Sequence, residues 1–228
     1  MKKIYLSSLF FALSIAFNAQ SFYKDALITE VGTGFEIYNT TLNLRIKDPN
    51  RTRDTSYTDK AANTNFGLAA EYGLHKRFGV GFRFKTNKYI TSRDSATKIK
   101  PDVRTNDFVV VLNYHPIVKK NFDLVLGADV GYSTFKYKAN DSLNLILSGG
   151  GSYISLYVNP RIYFGKFGIN FKLYAPFTNY NSLTTNNDDF NKYIAITKWK
   201  GQGFGMGFGI QYRFMKNKED EKPAPTTN

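Results

Sequence analysis

The amino-acid sequence predicts an all-β chain, an eight-stranded antiparallel up-and-down transmembrane β-barrel. Three observations carry this. Eight segments alternate apolar and polar residues with a period of 2, which is the period of a strand and not of a helix. The connections between them are short and long by turns. The polar face of the segments is made mostly of Gly, Ala, Ser and Asn with a few charges, a poor solvent surface but a suitable filling for a narrow barrel.

The segments run approximately over 29–43, 63–75, 78–90, 106–117, 122–137, 152–165, 167–180 and 201–214. The first and fourth alternate like the rest. The second sets Phe66, Leu68, Ala70, Tyr72 and Leu74 against Gly67, Ala69, Glu71 and Gly73, and the third sets Phe78, Val80, Phe82 and Phe84 against Gly79, Gly81 and Arg83. The fifth divides into Phe122, Leu124, Leu126, Ala128 and Val130 against Asp123, Gly127, Asp129 and Gly131; the sixth into Ile154, Leu156, Val158 and Ile162 against Ser155, Tyr157, Asn159 and Arg161. The seventh divides into Phe167, Ile169, Phe171 and Leu173 against Gly168, Asn170 and Lys172. The last, GQGFGMGFGIQYRF over 201–214, alternates glycine with Phe204, Met206, Phe208 and Ile210. Glycine costs about 1 kcal/mol per helical position, so this stretch excludes a helix. The short connections HKR (75–77), VKKN (118–121) and GK (165–166) fit tight hairpins, while 44–62, 91–105, 138–151 and 181–200 read as long polar loops, with the glycines at 149–151 as a loop tip.

A soluble lipocalin-like barrel would turn the aromatics inward, and a membrane barrel would turn them outward. The small polar face favours the second. So does length: about ten residues at ~3.3 Å, tilted ~40°, reach about 25 Å, the height of an outer-membrane apolar band. Aromatics at segment ends (Tyr72, Phe78, Phe122, Phe164, Phe167) fit an interfacial girdle. Alternation also explains a mean hydropathy of −0.36 in a membrane chain.

The closing strand, with Phe208, Ile210 and Tyr212 before a terminal Phe214, resembles the C-terminal signature of Gram-negative outer-membrane barrels. The chain up to Phe214 resembles the small eight-stranded family of OmpA-type transmembrane domains, OmpX-like and OmpW-like barrels, in a Bacteroidota style rich in Asn, Lys and Tyr. The resemblance implies an outer-membrane location and recognition of that strand by the barrel-insertion machinery, and it carries no specific activity. The sequence departs from the family after Phe214, where MKNKEDEKPAPTTN follows. This stretch is similar to the start of a linker to a peptidoglycan-binding domain, but anchoring to the cell wall is not expected.

The N-terminus, MKKIYLSSLFFALSIAFNAQ, reads as a secretory signal: a basic start, an apolar run too short to span, and Ala19 for cleavage. The expected organisation is a signal peptide over 1–19, a barrel over 20–214 and a disordered periplasmic tail over 215–228. The formal charge of +13 becomes +11 without Lys2 and Lys3, a balance that suits anionic lipid or lipopolysaccharide; in a secreted chain nucleic acid is not an expected partner.

With short turns in the periplasm, the lumen is expected to hold Glu36, Glu71 and Asp129 with Arg83, Arg161, Lys172 and Arg213. Charges confined there must pair. They predict a polar plug, with a selectivity constriction or gate as the alternative. The long loops carry Arg45, Lys47, Arg93, Lys198 and Lys200, expected to contact lipopolysaccharide phosphates, with Asp48, Asp54, Asp59, Asp94 and Asp102 interspersed. No enzyme is expected. His75 and His115 fall at the periplasmic end with no nucleophile in a supporting spacing, and Asp188–Asp189 stands alone. No cysteine, no HxH and no dense carboxylate loop point to a metal, and no cofactor is implied. The expected role is structural or surface-interacting; a narrow OmpW-like channel for small or apolar molecules, or an accessory subunit of an envelope complex, are the alternatives.

Overall fold

The computed structural model describes residues 21–48, 51–92, 99–140 and 144–214; the expected signal peptide and tail lie outside them. Among the described residues, the strands in chain order are β1 (Leu27–Asp48), β2 (Arg51–His75), β3 (Phe78–Tyr89), β4 (Asp102–Val118), β5 (Phe122–Lys138), β6 (Ile146–Phe164), β7 (Phe167–Thr185) and β8 (Ile194–Phe214). Among the described residues a short helix, α1 (Asp188–Tyr193), precedes β8. Each strand pairs antiparallel with the next, and β1 pairs with β8 from Leu27↔Phe214 upward, so the sheet closes on itself. No described helix is long and apolar enough to cross a membrane; a crossing here is made by strands.

Alternation sorts the two faces. Phe82 is 72% exposed, while Arg83 beside it is 9% exposed. Ile210 is 58% exposed and Gln211 1%. The outward residues form a continuous apolar belt around the barrel, far larger than the few hundred Å² a soluble monomer carries. Hydrocarbon is the solvent that fits such a belt, and closure leaves no strand edge in it.

The glycine-rich closing strand now has a physical reason. Its bare face lies under the Tyr174 ring, and a Cβ on Gly205 would come within 2.5 Å of that ring. Gly127 likewise accommodates the ring of Tyr157. Large tyrosines fill the lumen by lying over the next strand, where the directly paired residue has no side chain.

The expected boundaries hold at the short-turn end and fail at the other. β1 runs to Asp48 instead of 43, β2 begins at Arg51 instead of 63, β7 continues to Thr185, and β8 begins at Ile194. Much of the four expected loops is therefore strand. Beyond the lipid, outward side chains meet water, so Thr, Asn, Lys and Arg replace the apolar residues and the period-2 signal fades while ladder pairing continues. The glycines at 149–151 are not a loop tip either: they lie in β6, opposite Phe135, Thr134 and Ser133 of β5.

The segment before β1 crosses the short-turn end of the barrel. The Ser21 hydroxyl donates to the carbonyls of Lys119 (2.6 Å) and Phe122 (3.0 Å). The Asp25 amide donates to the Gly73 carbonyl at 2.7 Å, and the Tyr23 hydroxyl donates to the Phe214 carbonyl at 3.0 Å. One strap thus ties β2, the β4–β5 turn and the end of β8, with Phe22 fully buried above it.

A lysine in the middle of the belt should be costly. Phe82→Lys is expected to destabilise the folded barrel by about 2–4 kcal/mol in reversible unfolding from a bilayer. Gln202→Lys, outward-facing but above the belt, should cost less than about 1 kcal/mol.

Candidate functional site

The lumen is filled in levels, from the strap upward. At the floor His115 is fully buried, stacked on Phe22 with ring centroids 3.5 Å apart. Its Nδ1 lies 2.9 Å from both carboxylate oxygens of Asp123, and its Nε2 lies 2.9 Å from Glu71 Oε1. Ionised carboxylates only accept, so both ring nitrogens donate and His115 is an imidazolium. Arg161 Nη1 approaches Glu71 Oε2 at 2.8 Å and Asp123 at 3.8 Å. Arg213 donates to the Gly165 carbonyl at 2.8 Å and lies over the Tyr163 ring at 4.9 Å.

At the next level Arg83 pairs with Asp129 and stands 3.9 Å from Glu30. Glu30 also accepts from Gln211 at 2.7 Å and faces Lys172 at 4.0 Å. The Lys172 ammonium lies 4.4 Å from the centre of the Tyr157 ring, a cation–π contact. Above this, Lys85 Nζ meets Glu36 at 2.5 Å, Asp107 at 3.3 Å and the Tyr153 hydroxyl at 2.8 Å. Glu36 accepts further from Tyr38 at 2.7 Å and Asn63 at 2.8 Å, and Asp107 from Ser133 at 2.5 Å and Asn87 at 2.9 Å.

An apolar layer caps the network on the long-loop side. Trp199 packs on Tyr180 at 5.2 Å, Phe135 at 4.8 Å and Tyr89 at 6.0 Å. Beside this layer a cavity of about 480 Å³, lined by Leu42, Tyr89, Val103, Phe135, Leu147 and Trp199 among others, opens toward the outside.

The charges balance. Among the described residues the lumen holds the carboxylates of Glu30, Glu36, Glu71, Asp107, Asp123 and Asp129, and the basic side chains of Arg83, Lys85, Arg161, Lys172 and Arg213. The His115 imidazolium supplies the sixth positive charge. The seven lumen residues expected from the sequence lie on the inward face, and among them Glu71 meets Arg161 and Asp129 meets Arg83. Glu36, by contrast, is neutralised by Lys85, and Lys172 faces Glu30. Glu30, Lys85, Asp107, His115 and Asp123 were not expected there. Strand parity carries the signal for all of them: Glu30 is six residues before Glu36, and Lys85 two after Arg83.

At the rim, Arg45 is not a free cation. It donates to Asp54 at 2.9 and 3.2 Å, and its guanidinium holds the Asp54 carboxyl below the ordinary carboxylate range. Lys47 and Lys200 are exposed and Lys198 is half-buried; Arg93 lies outside the described residues. On the closing strand Phe208, Ile210 and Phe214 face outward, with Tyr212 half-buried between them.

No family model matches the chain, and no curated protein matches it. Its fold is similar to that of the outer membrane protein OprG from Pseudomonas aeruginosa, with a TM-score of 0.56, 14% identity, and coverage of 86% of this chain and 98% of that one. A major outer membrane protein from Thermus thermophilus aligns at a TM-score of 0.47 and 12% identity over 82% of this chain and 99% of that one. Ail of Yersinia pestis aligns at 0.43 and 12% over 84% of this chain and 99% of its own. The chain has the fold of the small outer-membrane β-barrels. That fold and the outward apolar belt set it in the outer membrane, where closed barrels of this kind are the spanning structures.

Removing one member of the floor cluster leaves its partners buried and uncompensated. Glu71→Ala is expected to destabilise the barrel by about 3–5 kcal/mol. Lys60→Ala, at the exposed rim, should change it by about 0.5 kcal/mol or less. Denaturant unfolding of both variants in the same micelle checks the contrast; equal midpoints would refute the network's structural role.

Proposed function

We propose that the protein is a closed, non-conducting outer-membrane barrel of structural or surface-interacting role, which holds its extended extracellular sheet and basic rim above the outer leaflet. The observation that carries this reading is the lumen. Three levels of mutually neutralised charge fill it, tyrosines occupy the remaining space, and the strap from Ser21 to Ala26 lies across the periplasmic mouth. An ion entering from either side meets side chains already paired with one another.

The reading gives His115 no catalytic role. His115 has both nitrogens engaged by carboxylates, so it offers no free base to a nucleophile. The closing strand from Phe208 to Phe214 serves as the signal for the insertion machinery, and the lipid partners are those of the outer leaflet. An accessory place in an envelope complex is compatible with the same surface.

A second reading, a narrow passage for small apolar molecules gated by the lumen charges, is favoured by the apolar cavity at the outer mouth. The two readings separate in planar bilayers. The closed barrel predicts no single-channel conductance above leak for the parent, and none for Arg83→Ala if that variant stays folded. Steady conductance of the parent, altered by Arg83→Ala, would replace the first reading with the second. The cavity is addressed separately: Trp199 is the chain's single tryptophan, so its emission reports on it directly. A saturable change in Trp199 emission with a neutral apolar probe such as N-phenylnaphthylamine, lost in Phe135→Asp, is the outcome the second reading requires.

A further inference from the structure

We infer that the outward face of β3, β4 and β5 is a binding site for a phosphorylated glycolipid of the outer leaflet, the lipid A class. The inference rests on the outer-membrane orientation argued above and deepens the lipid reading by placing it on the wall of three paired strands. Lys88 of β3 stands directly opposite Arg104 of β4, and Arg104 directly opposite Lys136 of β5. All three are exposed and point outward. Neighbouring strands are ~4.8 Å apart, so three cations lie within about 10 Å. Like charges directly opposite one another destabilise a sheet. Asp102 relieves part of this by pairing with Arg104 at 3.0 Å, but Lys138 stands opposite Asp102 and adds another positive charge. The row remains cationic and favours an anion.

The rows beneath the cations have the order of an amphiphile. Two residues toward the membrane, Thr86, Asn106 and Thr134 lie opposite one another, offering hydroxyl and amide groups. Two residues further, Phe84, Phe108 and Tyr132 form the top of the apolar belt, with Phe84 and Phe108 in ring contact at 5.1 Å. Cation, neutral polar and aromatic rows follow one another at ~6.6 Å along the strands. Phosphate, sugar and acyl chain succeed one another in the same order in a lipid A molecule lying against the wall.

The adjoining strand keeps this face open. At the same levels β6 presents Ser148, Gly150 and Ser152, so no bulky side chain flanks the ladder on that side. The Tyr132 hydroxyl lies over Gly150 where any Cβ would overlap it. This gives Gly150 a purpose beyond strand pairing: it lets Tyr132 lie flat across β6 beside the polar row.

The test uses the folded barrel in phosphatidylcholine nanodiscs with and without bis-phosphorylated lipid A, read as thermal stability and as salt-sensitive lipid A binding. The triple variant K88Q/R104Q/K136Q should bind lipid A about a hundredfold more weakly, roughly fivefold per charge, and lose the lipid-dependent rise in melting temperature. Without lipid A it should melt no lower than the parent, because the substitution removes repulsion. K47Q/K198Q/K200Q, which removes the same charge elsewhere on the rim, should behave like the parent. If lipid A stabilises the parent and the first triple alike while the second loses the effect, the site is wrong and the outer-leaflet reading stands. No lipid A dependence in any of the three overturns both. Equal stabilisation of the parent by phosphatidylglycerol overturns the assignment to a phosphorylated glycolipid.

Discussion

Glu71, His115, Asp123 and Arg161 hold one another at the floor of the lumen, and none of them could remain charged there alone. The constraint behind this cluster is the closed ring. With hydrocarbon outside, every ionised side chain at the level of the apolar belt turns inward. Eight strands enclose too little room for bulk water to solvate those charges, so each must find its counter-charge on another strand. The floor draws on β2, β4, β5 and β6; the level of Lys85 draws on β1, β3, β4 and β6. The network therefore also fixes the relative register of strands far apart in the chain.

Volume is managed by the same logic. Tyr157 and Tyr174 each lie down over the neighbouring strand, where the residues directly paired with them are Gly127 and Gly205. Their hydroxyls are not left unsatisfied: Tyr157 donates to Asn113 at 2.5 Å, and Tyr174 accepts from Asn65 at 3.0 Å. Glycine on the inward face and phenylalanine on the outward face are two halves of one arrangement, a thin wall toward the lumen and a thick apolar coat toward lipid.

Much of this was legible in the sequence wherever lipid imposes it. The strands' parity, the three tight turns and the inward position of Arg83, Asp129 and Arg161 follow from the apolar outer face alone. Legibility ends where lipid ends. Residues 51–62 carry no apolar alternation, and nothing in RTRDTSYTDKAA announces a strand, yet they pair residue by residue with β1 from Asp48 to Ile37. The identity of charge partners was also hidden, because parity gives the face and not the height. Glu36 meets Lys85, a residue outside the expected set, since register and strand tilt, set by the whole ring, decide which levels coincide. For His115 the sequence gives the periplasmic end and no burial; its burial depends on Asp123, Glu71 and Phe22, three positions that only closure assembles.

Inside and outside differ in one respect that bears on function. In the lumen every carboxylate has a cation on another strand and the total balances. On the outer rim Arg45 is matched by Asp54, but the row of Lys88, Arg104 and Lys136 stays positive despite Asp102. A protein whose ligand entered the barrel would be expected to leave charge unmatched inside it. Here the excess charge lies at the outer rim beside the apolar belt, where screening by water is strong but a lipid phosphate can approach from the side. The interior reads as an answer to the problem of folding and the exterior as an answer to the problem of binding, and it is along the membrane plane, more than along the barrel axis, that the charge distribution directs the search for a partner.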